Sequence, residues 1–196
     1  MNRRDFLQFL GVSGVIATLP GCSTSNVVRP SSALPMLNAS LEDKLQTISG
    51  IDYKILIRWG EKINPTETFG YNNDYIAYHP LENDRGLLWV NHEYVNPLYI
   101  GGIERTKANV DREMLEVGGS ILDVTKSGDT WSVVTNSKYN RRLDANTKIP
   151  FAWDKPIANS TFAFGTMANC AGGYTPWGTF LTCEENYDMF WGDSER

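Results

Sequence analysis

Apolar positions along the chain fall in short runs of β-branched and aromatic residues cut by Gly, Asn and Pro, a punctuation that predicts strands. Residues 53–60 are such a run, closed by Gly60. Residues 75–78 are another, entered from a polar loop at 69–74. A turn is predicted at 81–86. The uninterrupted stretch Leu87, Leu88, Trp89, Val90 predicts an inner strand covered on both faces, because a strand with one wet face alternates. Residues 118–125 and 130–135 flank Lys126, Ser127, Gly128 and Asp129, a hairpin signal. Strand-like residues return at 177–183, with Thr179, Leu181 and Cys183 on one face and Phe180 and Thr182 on the other. Helical patterning is confined to a turn at 41–46 and a charged segment at 107–115. The chain is therefore expected to be all-β, and no repeat of fixed period marks its architecture further.

The first residues follow another pattern. Arg3 and Arg4 precede an uncharged apolar run at 9–19, shorter than the roughly 20 residues of a membrane-spanning helix. Paired arginines before such a run form a twin-arginine export signal, read by the twin-arginine export machinery. Leu19, Pro20, Gly21 and Cys22 resemble a lipobox, in which Cys22 becomes the lipidated first residue of the mature protein and anchors it to the membrane. The alternative is cleavage nearby that releases a soluble periplasmic or secreted protein. Residues 1–22 are thus assigned to the signal, 23–45, with Pro30 and Pro35, to a polar linker, and 46–196 to the folded domain.

Composition narrows the class. A chain with 41% hydrophobic and 12% aromatic residues can bury a core, and a net charge of −5 offers no basic surface for nucleic acid. With Cys22 assigned to the signal, Cys170 and Cys183 remain. A disulfide between them suits an oxidising compartment, but twin-arginine export carries proteins already folded in a reducing one, which favours metal at Cys170 and leaves Cys183 as a small buried hydrophobe.

Soft, hard and turn-forming residues are compressed into 165–187 as nowhere else. Asn169, Cys170, Ala171, Gly172 and Gly173 read as a loop whose paired glycines allow positive φ and close backbone approach around Cys170. Glu184 and Glu185 follow the next strand and project to opposite faces if extension continues, so at most one can join Cys170. Asp74, on the 69–74 loop, could reach a cation, although a turn residue bonding its own backbone is the preferred reading. Arg141 and Arg142 could hold phosphate bidentately or pair with nearby carboxylates.

The run from Asn169 to Thr179 followed by Thr182, Cys183, Glu184, Glu185 and Asn186 resembles the signature of the PhoX-type alkaline phosphatases, secreted metal-dependent phosphomonoesterases unrelated to the zinc type. Asn91, His92, Glu93 and Tyr94 resemble a second motif of that family, and Ser137 to Arg142 a third, in the same order. The resemblance spans roughly residues 50 to 190. It implies a β-propeller holding ferric iron and calcium, with Cys170 at the position of the iron-ligating thiolate. It also makes Glu93, on residues alone a surface carboxylate after a strand, a metal ligand together with Glu184 or Glu185, while His92 is either a ligand or a structural histidine. Family proteins are much longer, so the resemblance implies the N-terminal part of a propeller, incomplete in this chain and inactive alone. The expected function is hydrolysis of phosphate monoesters to inorganic phosphate. A different class, a non-catalytic surface-tethered binding module, would present the same aromatic-rich sheets without chemistry.

Overall fold

The computed structural model describes residues 37–186 and Phe190; Arg3, Arg4 and Cys22 lie outside them. The chain divides into two units, 1–55 and 56–196. In the first, the described residues carry no regular element. The helical turn expected at 41–46 is absent, and local bonds such as Glu42 N–H to Ser40 Oγ, 3.1 Å, shape bends instead. No helix among the described residues is long and apolar enough to cross a membrane.

The second unit is built on a five-stranded antiparallel sheet. Strands β1 (Asn73–Glu82) and β2 (Arg85–His92) form a hairpin, and β2 pairs along its whole length with β3 (Gly118–Ser127). The far edge of β3 is shared by β4 (Thr130–Val133), opposite Val124–Ser127, and β5 (Arg141–Leu143), opposite Gly119–Ile121. The hairpin expected around Gly128 forms, with Gly128 at φ 58, a conformation that glycine adopts without a Cβ clash.

Both faces of β2 are covered, as its unbroken apolar run requires. Leu88 and Val90 share a face with Leu122 and Val124 and pack under Ile63 and Phe69. Leu87 and Trp89 share the other with Ala77 and Ile121 and pack against Phe180. The fully buried side chains among them, such as Leu122, Ile63 and Phe69, each contribute about 1.5–3 kcal/mol of transfer free energy, and the half-buried Leu87 and Leu88 less. Residues 53–60, expected as a strand, form no strand: Leu56 and Ile57 lie as a lid on the first face, while Tyr53, Ile55 and Trp59 are exposed. Composition supplied the β propensity, but here Leu56 and Ile57 are packed onto the core face without joining a ladder.

Helix α1 (Lys107–Met114) occupies the charged segment, with Thr106 Oγ1 accepting from Asn109 N–H at its N-cap and Leu115 at its C-cap. Two smaller sheets follow, β6 (Lys148–Pro150) with β7 (Phe162–Phe164), and β8 (Asn169–Tyr174) with β9 (Phe180–Glu184). The fold is thus all-β apart from one short helix. Among the described residues the strands form three antiparallel sheets and no closed ring of blades. Residues 169–173, expected as a loop, are a bulged strand. Neither Gly172 nor Gly173 has positive φ; Ala168, just before them, has φ 50. Gly172 serves close approach instead, because a Cβ there would stand 2.2 Å from the Tyr75 ring.

Candidate metal centre

Irregular strand ends bring the donors together. The β1–β2 register slips between Asn73 and Ile76, and that bulge holds Asp74. Glu93 leaves β2 directly after His92, its N–H held by Asn72 O at 3.1 Å, with Asn72 at φ 44. The β8–β9 register slips between Asn169 and Gly172, and that bulge holds Cys170. Glu185 lies just past β9, its N–H held by Ala168 O at 2.8 Å. Bulges bend a strand and re-aim a side chain that the regular pleat would send elsewhere. As a result one carboxylate oxygen each of Asp74 and Glu93 and the Cys170 Sγ all lie within 4.8 Å of one another, Asp74 exposed and the other two half-buried.

The electrostatics of this cluster are those of a site built for positive charge. Hydrogen bonds to Asp74 and Glu185 push the Cys170 thiol up to about 12, with burial and the charges of the same two carboxylates adding to the effect. Burial, and then the charges of Asp74 and Glu185, raise the Glu93 carboxyl above its ordinary range. The Cys170 thiol and the Glu93 carboxyl are thereby held toward their protonated forms, and a bound cation would favour their charged forms instead. One thiol among carboxylates is a donor set that a multivalent cation fits: soft enough for a transition metal, and oxygen-rich enough for a hard one.

A fully buried layer lies behind the donors. Asn91 Nδ2 donates to Cys170 O at 2.7 Å and to Ala171 O at 3.3 Å. Its Oδ1 accepts from Trp89 Nε1 at 2.6 Å and Thr182 Oγ1 at 2.8 Å. Asn169, also fully buried, donates through Nδ2 to Thr166 Oγ1 at 2.7 Å and Thr182 Oγ1 at 2.8 Å.

The other expected site residues separate from this cluster. Glu184 accepts from Met167 N–H at 2.9 Å, a structural bond, whereas its neighbour Glu185 faces Cys170. His92 is fully buried with both ring nitrogens engaged, Nδ1 with Tyr71 O at 2.9 Å and Nε2 with Ser120 Oγ at 2.7 Å. Burial, and the nearby Arg142 charge, lower its pKa to about 3, so it is a neutral structural histidine. Arg142, read as a phosphate contact, is buried: its guanidinium donates to Leu115 O at 3.0 Å, Val117 O at 2.8 Å and Ser120 Oγ at 3.2 Å. Arg141 is exposed beside it, donating to Tyr139 O at 3.2 Å. Cys183, expected inside, is an exposed free thiol because β9 turns Phe180 and Thr182 inward; Cys170 is also free. Asp74 is the residue that the preferred turn reading undervalued, and the Asn72–Asn73 pair before it is the signal of the irregular backbone that aims it.

Fold and donors together define an antiparallel β-protein with a carboxylate–thiol cluster at its strand ends. The profile of the PhoX alkaline phosphatases matches residues 33–196, and the chain belongs to that family. It is similar to the solved structure of Pseudomonas fluorescens PhoX in complex with vanadate, a transition state analogue, at 32% identity and a TM-score of 0.59. That match covers 68% of this chain and 28% of the PhoX chain, so this chain spans about a quarter of its solved relative. No curated protein matches.

Proposed function

We infer that this protein is an exported, metal-dependent phosphatase that hydrolyses phosphate monoesters to inorganic phosphate. The observation that carries the reading is the convergence of Asp74, Glu93 and Cys170 within 4.8 Å, with Glu185 beside them, in a chain of the PhoX family. The solved relative is in complex with vanadate, a transition state analogue, which supports phosphate-ester chemistry for this chain as well.

Cys170 would hold iron through its sulfur, while Asp74, Glu93 and Glu185 offer oxygens to iron or calcium. Bound cations would supply charge to neutralise the phosphoryl oxygens, which a protein of net charge −5 needs locally. The chain's own part is to gather four donors in one place despite their mutual repulsion, and a bound cation would displace the proton that Cys170 holds without it. Arg141, exposed on β5, would be the one of the two adjacent guanidiniums that a phosphate could reach. Arg142 can only stiffen the strand beneath it.

The sheets would form blades of a propeller. Calcium alone takes 6 to 8 oxygens, so the donors gathered here would not fill the shells of several ions, and residues 23–196 alone should lack turnover. Export would proceed through Arg3 and Arg4, and a lipid on Cys22 would hold the product at the membrane. The deciding assay uses the full-length exported protein with p-nitrophenyl phosphate, calcium and iron. Turnover that is abolished by chelation and by Cys170→Ser supports the reading; a chelator-resistant rate, unchanged in that variant, overturns it.

A further inference from the structure

We propose that Asn91 is a positioning residue for the metal-binding thiol: its buried carboxamide fixes the backbone of Cys170 and thereby the place of the sulfur. The proposal rests on the reading of Cys170 as a cation ligand.

The orientation of the carboxamide is dictated chemically. Trp89 Nε1 can only donate and backbone carbonyls can only accept, so Oδ1 must face the indole and Nδ2 must face Cys170 O and Ala171 O. With Thr182 Oγ1 as second donor to Oδ1, the side chain makes four bonds at zero exposure and has no freedom left to rotate. Those two carbonyls lie in the β8 bulge, where register with β9 is lost between Asn169 and Gly172. There Asn91, reaching across from β2, gives both carbonyls a side-chain donor.

Asn91 also stands two residues before Glu93, near the end of β2 from which Glu93 departs. One short stretch of backbone thus carries a candidate carboxylate ligand and the clamp on the candidate sulfur ligand, which sets the distance between them. Groups that orient a ligand without touching the cation typically change metal affinity about 10- to 100-fold when removed.

The test uses full-length protein and Co²⁺ alone as the probe. Wild type should show a thiolate-to-cobalt charge-transfer band that Cys170→Ser lacks. Asn91→Ala should bind Co²⁺ about 10- to 100-fold more weakly, with the band shifted or diminished. Asn140→Ala removes another buried carboxamide, with three bonds to Ile63, Val134 and Asp123 rather than to the site, and should keep the wild-type band and affinity. Thr182→Val, which frees Asn91 Oδ1 without touching Cys170, should weaken binding in the same direction by a smaller factor. If Asn91→Ala matches Asn140→Ala in affinity and band, Asn91 only packs and the proposal fails. If Asn91→Ala does not fold, Thr182→Val decides, and wild-type affinity and band there overturn it. A wild type without a Cys170-dependent band sinks the ligand reading and the positioning role together, whereas a normal band indifferent to Asn91 sinks the second alone.

Discussion

Cation binding and pH should be linked through Cys170, with opposite signs in the cation-free and cation-loaded protein. Hydrogen bonds to Asp74 and Glu185 push the thiol up to about 12 from an ordinary 9.0. At pH 7.5 only roughly one molecule in 10⁴ to 10⁵ then carries a thiolate, so binding through sulfur must expel essentially one whole proton. Affinity for a thiophilic divalent cation such as Zn²⁺ should therefore rise about tenfold per pH unit, and about a hundredfold from pH 6.5 to 8.5. Toward lower pH the raised Glu93 carboxyl adds its own proton and steepens the slope. Without cation the sign is reversed: a pKa raised on folding contributes stability that is fully present below pH 9 and is lost as pH rises through 9 toward 12. Competition titrations with a chelating dye, in matched ionic strength, give the slope, and release of protons into weak buffer gives the stoichiometry. Cys170→Ser should flatten both the affinity slope and the alkaline loss of cation-free stability, which separates this thiol from the tyrosines and lysines titrating nearby in pH. A wild-type slope near zero, or one unaltered by Cys170→Ser, would refute the reasoning.

Leu122→Ala, at a fully buried position between Ile63, Phe69 and Val90, should lower unfolding free energy by about 2–5 kcal/mol in urea titration. Arg142→Ala should cost about 1–3 kcal/mol for each carbonyl it orphans, with KM of the folded fraction unchanged, while Arg141→Ala should leave stability within about 0.5 kcal/mol and raise KM. Cys183→Ser, on an exposed thiol, should alter melting by no more than about 0.5 kcal/mol and leave turnover intact. Replacing Arg3 and Arg4 together by lysine should retain the precursor in the cytoplasm, read by fractionation and immunoblot.

The parts of the fold legible in the sequence are those where one local rule suffices. Leu87 to Val90 announced an inner strand because continuous apolarity makes sense only when two layers cover it, and the structure supplies both layers. The Gly128 turn and the Lys107–Met114 helix were legible for the same reason, being set within a few residues. Residues 53–60 misled because strand propensity describes a fit to a pleated, half-buried surface, and Leu56 and Ile57 meet the core by packing onto it rather than by pairing in a ladder. Gly172 misled in the reverse sense: absence of a side chain signals either a turn or a close approach, and only the Tyr75 ring, nearly a hundred positions earlier in the chain, distinguishes them.

The candidate site was legible in residue type and not in membership, because membership depends on bulges. A regular pleat sends alternate side chains to opposite faces, so adjacent identical acids must part company, and Glu184 and Glu185 do: one secures Met167 N–H and the other meets Cys170. Asp74 and Cys170 each lie where that pleat is interrupted, so period-two counting from the buried residues of their strands cannot assign their faces. Arg141 and Arg142 obey the pleat, and it separates them into one guanidinium in solvent and one bound to backbone beneath the sheet. Chemistry written side by side in the sequence is thus divided by regular strands and reassembled by irregular ones, and the donors drawn together here come from the irregular stretches and the strand ends.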